Sequence, residues 1–392
     1  MKPCSDSRLC YGCGACTAVC EQGCIRLVRD AEGFDYPEVD EDACTQCGAC
    51  RAVCGAGMKV LPQASVPTVY AAWHTSPQVR AKGTSGGVFA ALAETLLEQG
   101  GAVVGAAFSS DFRSVSHVVT HSRDGLEALQ GSKYIQSSTL SALRQTLELL
   151  RAGKKVLFSG TPCQTHAVRQ LAGPLASRLV TCDLLCHGVA SPGVFGAYLR
   201  ELELERGSEV VGYSFRDKRL GWNFSRVSVA FANGCRLSLL PSSDRFMNGF
   251  YANVLLRPSC YACPFAGPER ASDLTIADCW RVAATHPHYD DNRGTSLILA
   301  NTAAGGELVA GAVGASRLFV GPYDFGLACR NNAPLQAPAR EPAGRPLFFE
   351  RFRASHSFRD ASRTYVRELL VFRKRCMRWV KYLFWPVLRR FQ

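Results

Sequence analysis

No stretch of this sequence approaches the roughly eighteen consecutive apolar residues of a membrane-spanning helix, so a spanning segment is not expected. The opening residues are charged and polar, without the apolar region of a secretory signal. No G-x-G-x-x-G follows an expected strand, and the pair Gly101 and Gly105 is too sparse to replace it, which removes the Rossmann dinucleotide fingerprint. Acidic charge is scarce at one end only: residues 351–392 carry twelve Lys and Arg against Asp360 and Glu368, while the other 350 residues are nearly balanced. Clusters ligated by thiolates would make the loaded body more acidic still, so no nucleic-acid partner is expected.

Cysteine, by contrast, is abundant, at 19 of 392 residues. A secreted disulfide scaffold would be short and would carry a signal; this chain is long and groups its Cys in metal-binding spacing, which points to a reducing, cytoplasmic setting. Cys10, Cys13, Cys16 and Cys20 are answered by Cys44, Cys47, Cys50 and Cys54, each half reading C-x2-C-x2-C-x3-C. That is the bacterial two-cluster ferredoxin pattern, in which three thiolates of a run hold one [4Fe–4S] cluster and the fourth reaches the other. The expected sets are Cys10, Cys13, Cys16 and Cys54, and Cys44, Cys47, Cys50 and Cys20. Zinc sites use two pairs over a longer gap and have no need of eight Cys in this order. The Pro that often follows the fourth Cys is replaced by Glu21 and Gly55. This alters the local turn without altering the ligand count.

A ferredoxin needs only some sixty residues, so the remainder must use the electrons. The expected fold is α+β. Residues 1–64 form a two-cluster ferredoxin-like domain, 65–335 a mixed α/β oxidoreductase domain, and 336–392 a linker and a basic helical tail. Within the body, strands and helices alternate from Val69 to Arg206, which predicts a largely parallel sheet. Ser85 is placed to cap a helix running to Gln99; Thr161 and Pro162 suit the start of another. From residue 209 the texture becomes antiparallel, with Asn233-Gly234 as a hairpin turn.

Four further Cys stand out. Cys163 and Cys186 fall where a strand hands over to a helix, hence along one carboxyl edge of the sheet, and Cys260 with Cys263 adds a C-x2-C. Together they could hold a third [4Fe–4S] cluster or a structural zinc. Alternatively, Cys163, in the first turn of a helix where the dipole favours thiolate, is a redox-active nucleophile, or both strand-end Cys simply pack.

The chain resembles the beta-subunit family of coenzyme F420-reducing hydrogenases and dehydrogenases, whose wider relatives include a chlorophyll-derivative reductase and proteins encoded near polysaccharide genes. The resemblance rests on Ser85-Gly86-Gly87-Val88-Phe89, Gly131 to Ser137, Gly160 to Gln164, Asp183 to Gly188, Phe215 to Lys218, Arg257 to Cys263 and Asp273 to Asp278. It implies FAD in the body and a third cluster on Cys163, Cys186, Cys260 and Cys263. Cys182 and Cys279 match no family Cys and read as buried small residues. Ala277 and Arg281 depart from the family's glycines beside the Asp-x-Trp segment.

For the flavin, Thr84, Ser85, Gly86 and Gly87 offer a phosphate cradle at a helix start. Ser132, Lys133 and Tyr134 would lie near the ring, with Lys133 stabilising anionic reduced flavin. His187 could donate to cluster sulfur or pass a proton to substrate. Arg216 and Lys218 read as attractors of an acidic substrate or as a solvated turn. From Thr364 to Phe391 a basic amphipathic pattern, with Trp379 and Trp385 on its apolar side, suits either the headgroup region of an anionic membrane or docking on the body or a partner subunit. The functional expectation is an iron–sulfur flavoprotein oxidoreductase with a redox partner protein and a small-molecule acceptor or donor. The competing readings are a non-catalytic electron-transfer subunit and a redox accessory protein of polysaccharide biosynthesis.

Overall fold

A computed structural model describes residues 3–56 and 66–365. The basic pattern from residue 366 onward therefore lies outside the described residues, including Trp379 and Trp385. Among the described residues no helix is long and apolar enough to cross a membrane.

The N-terminal unit is built on a hairpin of β1 (Ile25–Arg29) and β2 (Asp35–Val39), which separates the two Cys runs as their spacing requires. Each run ends in a short helix, Ala15–Val19 and Ala49–Ala52. Gly14 and Gly48 cap these helices with φ of +72° and +80°, a left-handed conformation that glycine adopts without steric cost.

The body centres on an eight-stranded sheet made from β3 (Thr68–His74), β4 (Ala102–Phe108), β5 (Val115–Thr120), β6 (Val156–Gly160), β7 (Leu179–Leu184), β11 (Leu274–Asp278), β12 (Ser296–Ala300) and β13 (Leu318–Pro322). Its order is β13-β3-β12-β11-β7-β6-β4-β5. Only β4, β6, β7 and β11 run parallel to their neighbours. The flanking pairs are antiparallel, which corrects the expectation of a largely parallel sheet. The reason is local: β5 returns from β4 through a tight turn with no room for a crossover helix, and the β11–β12 connection holds only the four-residue helix Val282–Thr285 and the short turn Pro287–Tyr289. Helices cover both faces, Val88–Glu98 and Ala303–Gly314 against one buried cluster, Leu140–Arg151 and Pro162–Ala172 against another.

A second sheet, β8 (Val210–Asp217), β9 (Arg226–Phe231) and β10 (Arg236–Leu239), is the antiparallel addition expected after residue 209, with Asn233-Gly234 in its turn. Its inner face joins helix Pro192–Arg206 in an aromatic core containing Phe195, Tyr213, Phe215 and Phe246. Helices Arg345–Ser355 and Phe358–Ser362 enter that same core through Phe348, Phe349, Phe352 and Phe358, all buried. Residues 345–365 thus pack on the body, with helix Arg345–Ser355 following the Pro-rich stretch directly. The Pro-rich composition hid a Phe-rich face immediately after it.

The ferredoxin unit is docked firmly. Gly193 N–H donates to Gly33 O, Ser191 Oγ to Glu32 O at 2.6 Å, and Thr139 Oγ1 to Cys13 O at 2.7 Å. Arg345 forms an ion pair with Glu32 at 2.6 Å, and Phe34 is fully buried against Phe349.

Candidate metal centres

Cys10, Cys13, Cys16 and Cys54 neighbour one another, and Cys50 neighbours Cys44 and Cys47. Enclosure pushes the Cys13 thiol up to about 11, with the neighbouring Cys10 and Cys54 adding to the rise. Cys16 is pushed up to about 12 by enclosure, then by Cys13, Cys10 and Cys54. Cys50 is raised by burial first, then by Cys44 and Cys47. Cys20 Sγ lies 3.4 Å from Cys24 Sγ, and Cys24 in turn neighbours Cys44. Crossed exchange of the fourth thiol, Cys54 to the first set and Cys20 toward the second, is what the paired runs predict. Two thiols at these sites were not singled out in the sequence: Cys24, and Cys4, which neighbours Cys54 and Cys10. The only advance signal was their closeness in sequence to the two runs.

Cys163, Cys186, Cys260 and Cys263 converge around one cavity of about 220 Å³, which Tyr11 of the ferredoxin unit and His187 also line. Parallel strands bring the first two together, because β6 and β7 are neighbours in register, with Gly160 opposite Asp183. Arg270 brings in the other pair. It donates to Phe265 O just beyond Cys263, to Thr275 Oγ1 on β11, and to Asp183 Oδ1 on β7. The Cys260–Cys263 loop is thereby bolted to the strand that delivers Cys186. Cys163 is held at 3.1 Å from Thr161 Oγ1, at the head of a helix whose N-cap is Thr161, as expected. Burial nevertheless pushes its thiol well above the ordinary range, followed by the opposing effect of Thr161 and the raising effects of Cys263, Cys186 and Cys13. The helix dipole does not win there, so a free Cys163 thiolate nucleophile is not supported.

Thiols crowded in this way disfavour each other's ionisation, and a cationic iron core removes that penalty. Among the described residues no three His, Cys, Asp or Glu side chains are drawn together tightly enough for a single metal ion. A cubane takes one thiolate at each of four irons. Cys182 and Cys279 are buried in the core, in keeping with their reading as small packing residues.

His187 Nε2 pairs with Asn253 Oδ1 at 2.6 Å. The amide oxygen accepts, so Nε2 carries the proton and Nδ1 is an acceptor in the neutral ring. Burial holds its pKa below the ordinary value. In that state His187 lines the cavity but has no ring N–H left to donate to cluster sulfur.

The expected flavin residues come together without forming the expected cradle. Thr84 Oγ1 accepts from Ser132 N–H at 2.7 Å, so the two segments do meet. The cap of helix Val88–Glu98 is Gly87, at φ +80°, and not Ser85, whose hydroxyl donates to Thr295 O. Gly86 and Gly87 are buried, and Gly86 N–H donates to Ser296 Oγ at 2.9 Å. A Cβ on Gly86 would collide with Ala72 O, so this glycine serves packing of the loop onto β3. Lys133 donates to Ala106 O, Ala128 O and Gln130 O at 2.8–2.9 Å. Burial pushes its pKa down to about 7. Three carbonyl acceptors require all three N–H bonds, which only the ammonium form has, and we assign that form. Lys133 is thus an internal tie and not a free cation facing a ring. Tyr134 packs against Phe215 and Phe250. The residues at this position do not fit the pyrophosphate and ring of FAD as arranged. Arg216 and Lys218 are also committed inside the protein, Arg216 to Asp278 and Lys218 to the carbonyls of Arg80, Ser85 and Arg293.

Residues 69–144 match the coenzyme F420 hydrogenase/dehydrogenase beta subunit N-terminal family and residues 153–324 its C-terminal counterpart, together more than half of the chain. Residues 9–58 match a 4Fe-4S dicluster domain. No curated protein matches. Among solved structures, a chain of the F420-reducing [NiFe] hydrogenase complex from Methanosarcina barkeri is similar, at 20% identity and a TM-score of 0.47, over 68% of this chain and 85% of that one. The chain therefore belongs to the coenzyme F420 hydrogenase/dehydrogenase beta-subunit family and carries an N-terminal 4Fe-4S dicluster domain.

Proposed function

We propose that this protein is an iron–sulfur oxidoreductase subunit whose twelve ligand thiols form three sites. Clusters of this type, when bound, carry one electron each. The observation that carries the reading is the placement of the thiols. Cys47 of the second set is exposed, the first set is half-buried, and Cys163 of the third set feels the charge of Cys13 from the first. The exposed set suits contact with a redox partner protein. The third set lines a cavity of about 220 Å³, where a small acceptor or donor would meet His187 and Asn253.

The FAD expected from the resemblance has no part in this proposal, because Thr84–Gly87 and Lys133 are engaged in internal contacts. Iron, acid-labile sulfide and flavin analysis of anaerobically purified protein tests the whole reading. About twelve irons per chain is the expectation from three cubanes. Colourless, iron-free protein would sink it, and one tightly bound FAD per chain would require a flavin site elsewhere in the body.

A further inference from the structure

Arg257 is among the largest fully buried side chains of the protein. Its Nε donates to Cys10 O at 2.6 Å, Nη1 to Gln136 Oε1 at 2.8 Å and Nη2 to Asp35 O at 3.1 Å. The guanidinium lies 4.1 Å from the centre of the Tyr36 ring and 5.4 Å from that of Phe34. None of these hydrogen-bond partners is a carboxylate. A buried cation without a bonded anion costs several kcal/mol, on the order of the penalty for any desolvated ion, so a compensating negative charge is to be sought nearby. It sits between two ligand loops: its side chain holds the carbonyl of Cys10 in the first set, and its own carbonyl accepts from Cys260 N–H at 2.9 Å in the third. Arg257 also lines the third-site cavity. These hydrogen bonds reach none of residues 44–54, which hold the second run.

We infer that Arg257 is a shared electrostatic positioning residue, a guanidinium held between the first and third thiol sites that raises the reduction potential of the clusters bound at both. This rests on the three-site reading above. A cluster with four thiolates is a net anion, and each added electron makes it more so. A fixed cation beside it in a low-dielectric interior favours the reduced form. Because one residue faces two sites, it shifts both in the same direction and keeps the pair matched. The second site, out of its reach, serves as an internal control.

Redox titration followed by electron paramagnetic resonance on full-length, cluster-loaded protein tests this, with the control signal identified as the one lost in Cys47→Ala. Arg257→Gln removes the charge. Gln136→Glu leaves Arg257 in place and neutralises it with a carboxylate at the atom that already accepts from Nη1. Both should lower two of the three potentials by about tenfold in the reduction equilibrium, about 59 mV for one electron, and leave the control cluster in place. Arg257→Lys should keep all three potentials near wild type while lowering thermal stability, since the charge remains but the fork of hydrogen bonds is lost. If Arg257→Gln does not accumulate, Gln136→Glu decides alone. Equal movement of all three potentials, or no movement in Gln136→Glu, would overturn the inference and leave Arg257 a purely structural latch. Iron far below about twelve per wild-type chain is a separate outcome, which overturns the three-site reading and this inference with it.

Discussion

Arg270 Nη2 donates to Asp183 Oδ1 at 2.9 Å, with both side chains almost completely removed from water. The pair joins the loop after Cys263 to the strand before Cys186, so it holds two halves of the third thiol site at once. Removing one partner strands a buried charge, which typically costs about 3–5 kcal/mol. Asp183→Ala should therefore lower the thermal midpoint sharply and loosen the third site. Loss of iron at that site together with the drop in melting temperature is the expected result; a melting curve unchanged from wild type would contradict it.

The third site should be separable from the other two. Replacing Cys260 and Cys263 together by Ser should remove about four irons per chain and leave about eight, since the N-terminal sets draw on no thiol of the body. Iron and sulfide counts on anaerobic protein check this, and loss of all twelve would show that the sites assemble interdependently.

Gly33 joins the ferredoxin unit to helix Pro192–Arg206. It has φ +82°, and a Cβ there would lie 2.6 Å from Gly193 Cα. Gly33→Ala should destabilise the docked unit by about 1–3 kcal/mol through overpacking and backbone strain. Urea unfolding would register the change. Ala at Gly23, where nothing lies within 4 Å, is the matched control at another positive-φ glycine.

His117 gives a pH dependence with a defined sign. It is buried against Phe158, its Nε2 faces Ser159 O at 3.0 Å, and burial pushes its pKa from 6.5 down to about 4. Between those values the unfolded chain binds the proton and the folded chain does not, so stability rises with pH there. The contribution is complete above 6.5 and is lost as pH falls from 6.5 through about 4. His117→Gln, which can still donate to Ser159 O, should flatten the decline in urea midpoint between pH 6.5 and 5.5; an identical slope in both proteins would refute the assignment.

The Phe-rich helices at residues 345–365 predict where the chain tolerates shortening. A protein ending after Tyr365 should fold, because Phe348, Phe349, Phe358 and Tyr365 remain buried. One ending after Pro346 exposes the core those residues cover and should aggregate or unfold. Losing buried Phe side chains costs about 3–5 kcal/mol each, so near-UV circular dichroism should separate the two clearly. Sedimentation with anionic liposomes, compared between the full chain and the one ending at Tyr365, then reads the basic pattern from residue 366 by itself.

What the sequence by itself determined was the set of short-range patterns. The eight N-terminal Cys announce the 4Fe-4S dicluster domain in their spacing, because the C-x2-C-x2-C run is a short local pattern. The hairpin at Asn233-Gly234 and the helix start at Thr161-Pro162 are equally local, since turn and cap chemistry depend on a few adjacent residues. Only the tertiary structure decided the rest. The antiparallel flanks of the large sheet depend on which strand edges meet, and the entry of residues 345–365 into the core depends on a distant aromatic face. Lys218 looked like a free cation in sequence and proved to be engaged by carbonyls of Arg80, Ser85 and Arg293, partners that no window around it contains, and Lys133 is tied to the distant Ala106 O as well as to the nearby Ala128 O and Gln130 O. Arg257 is the plainest case, because its neighbours Cys10, Asp35 and Gln136 come from three separate parts of the chain. A side chain's charge is written in the sequence, but the field it exerts depends on what folding places around it.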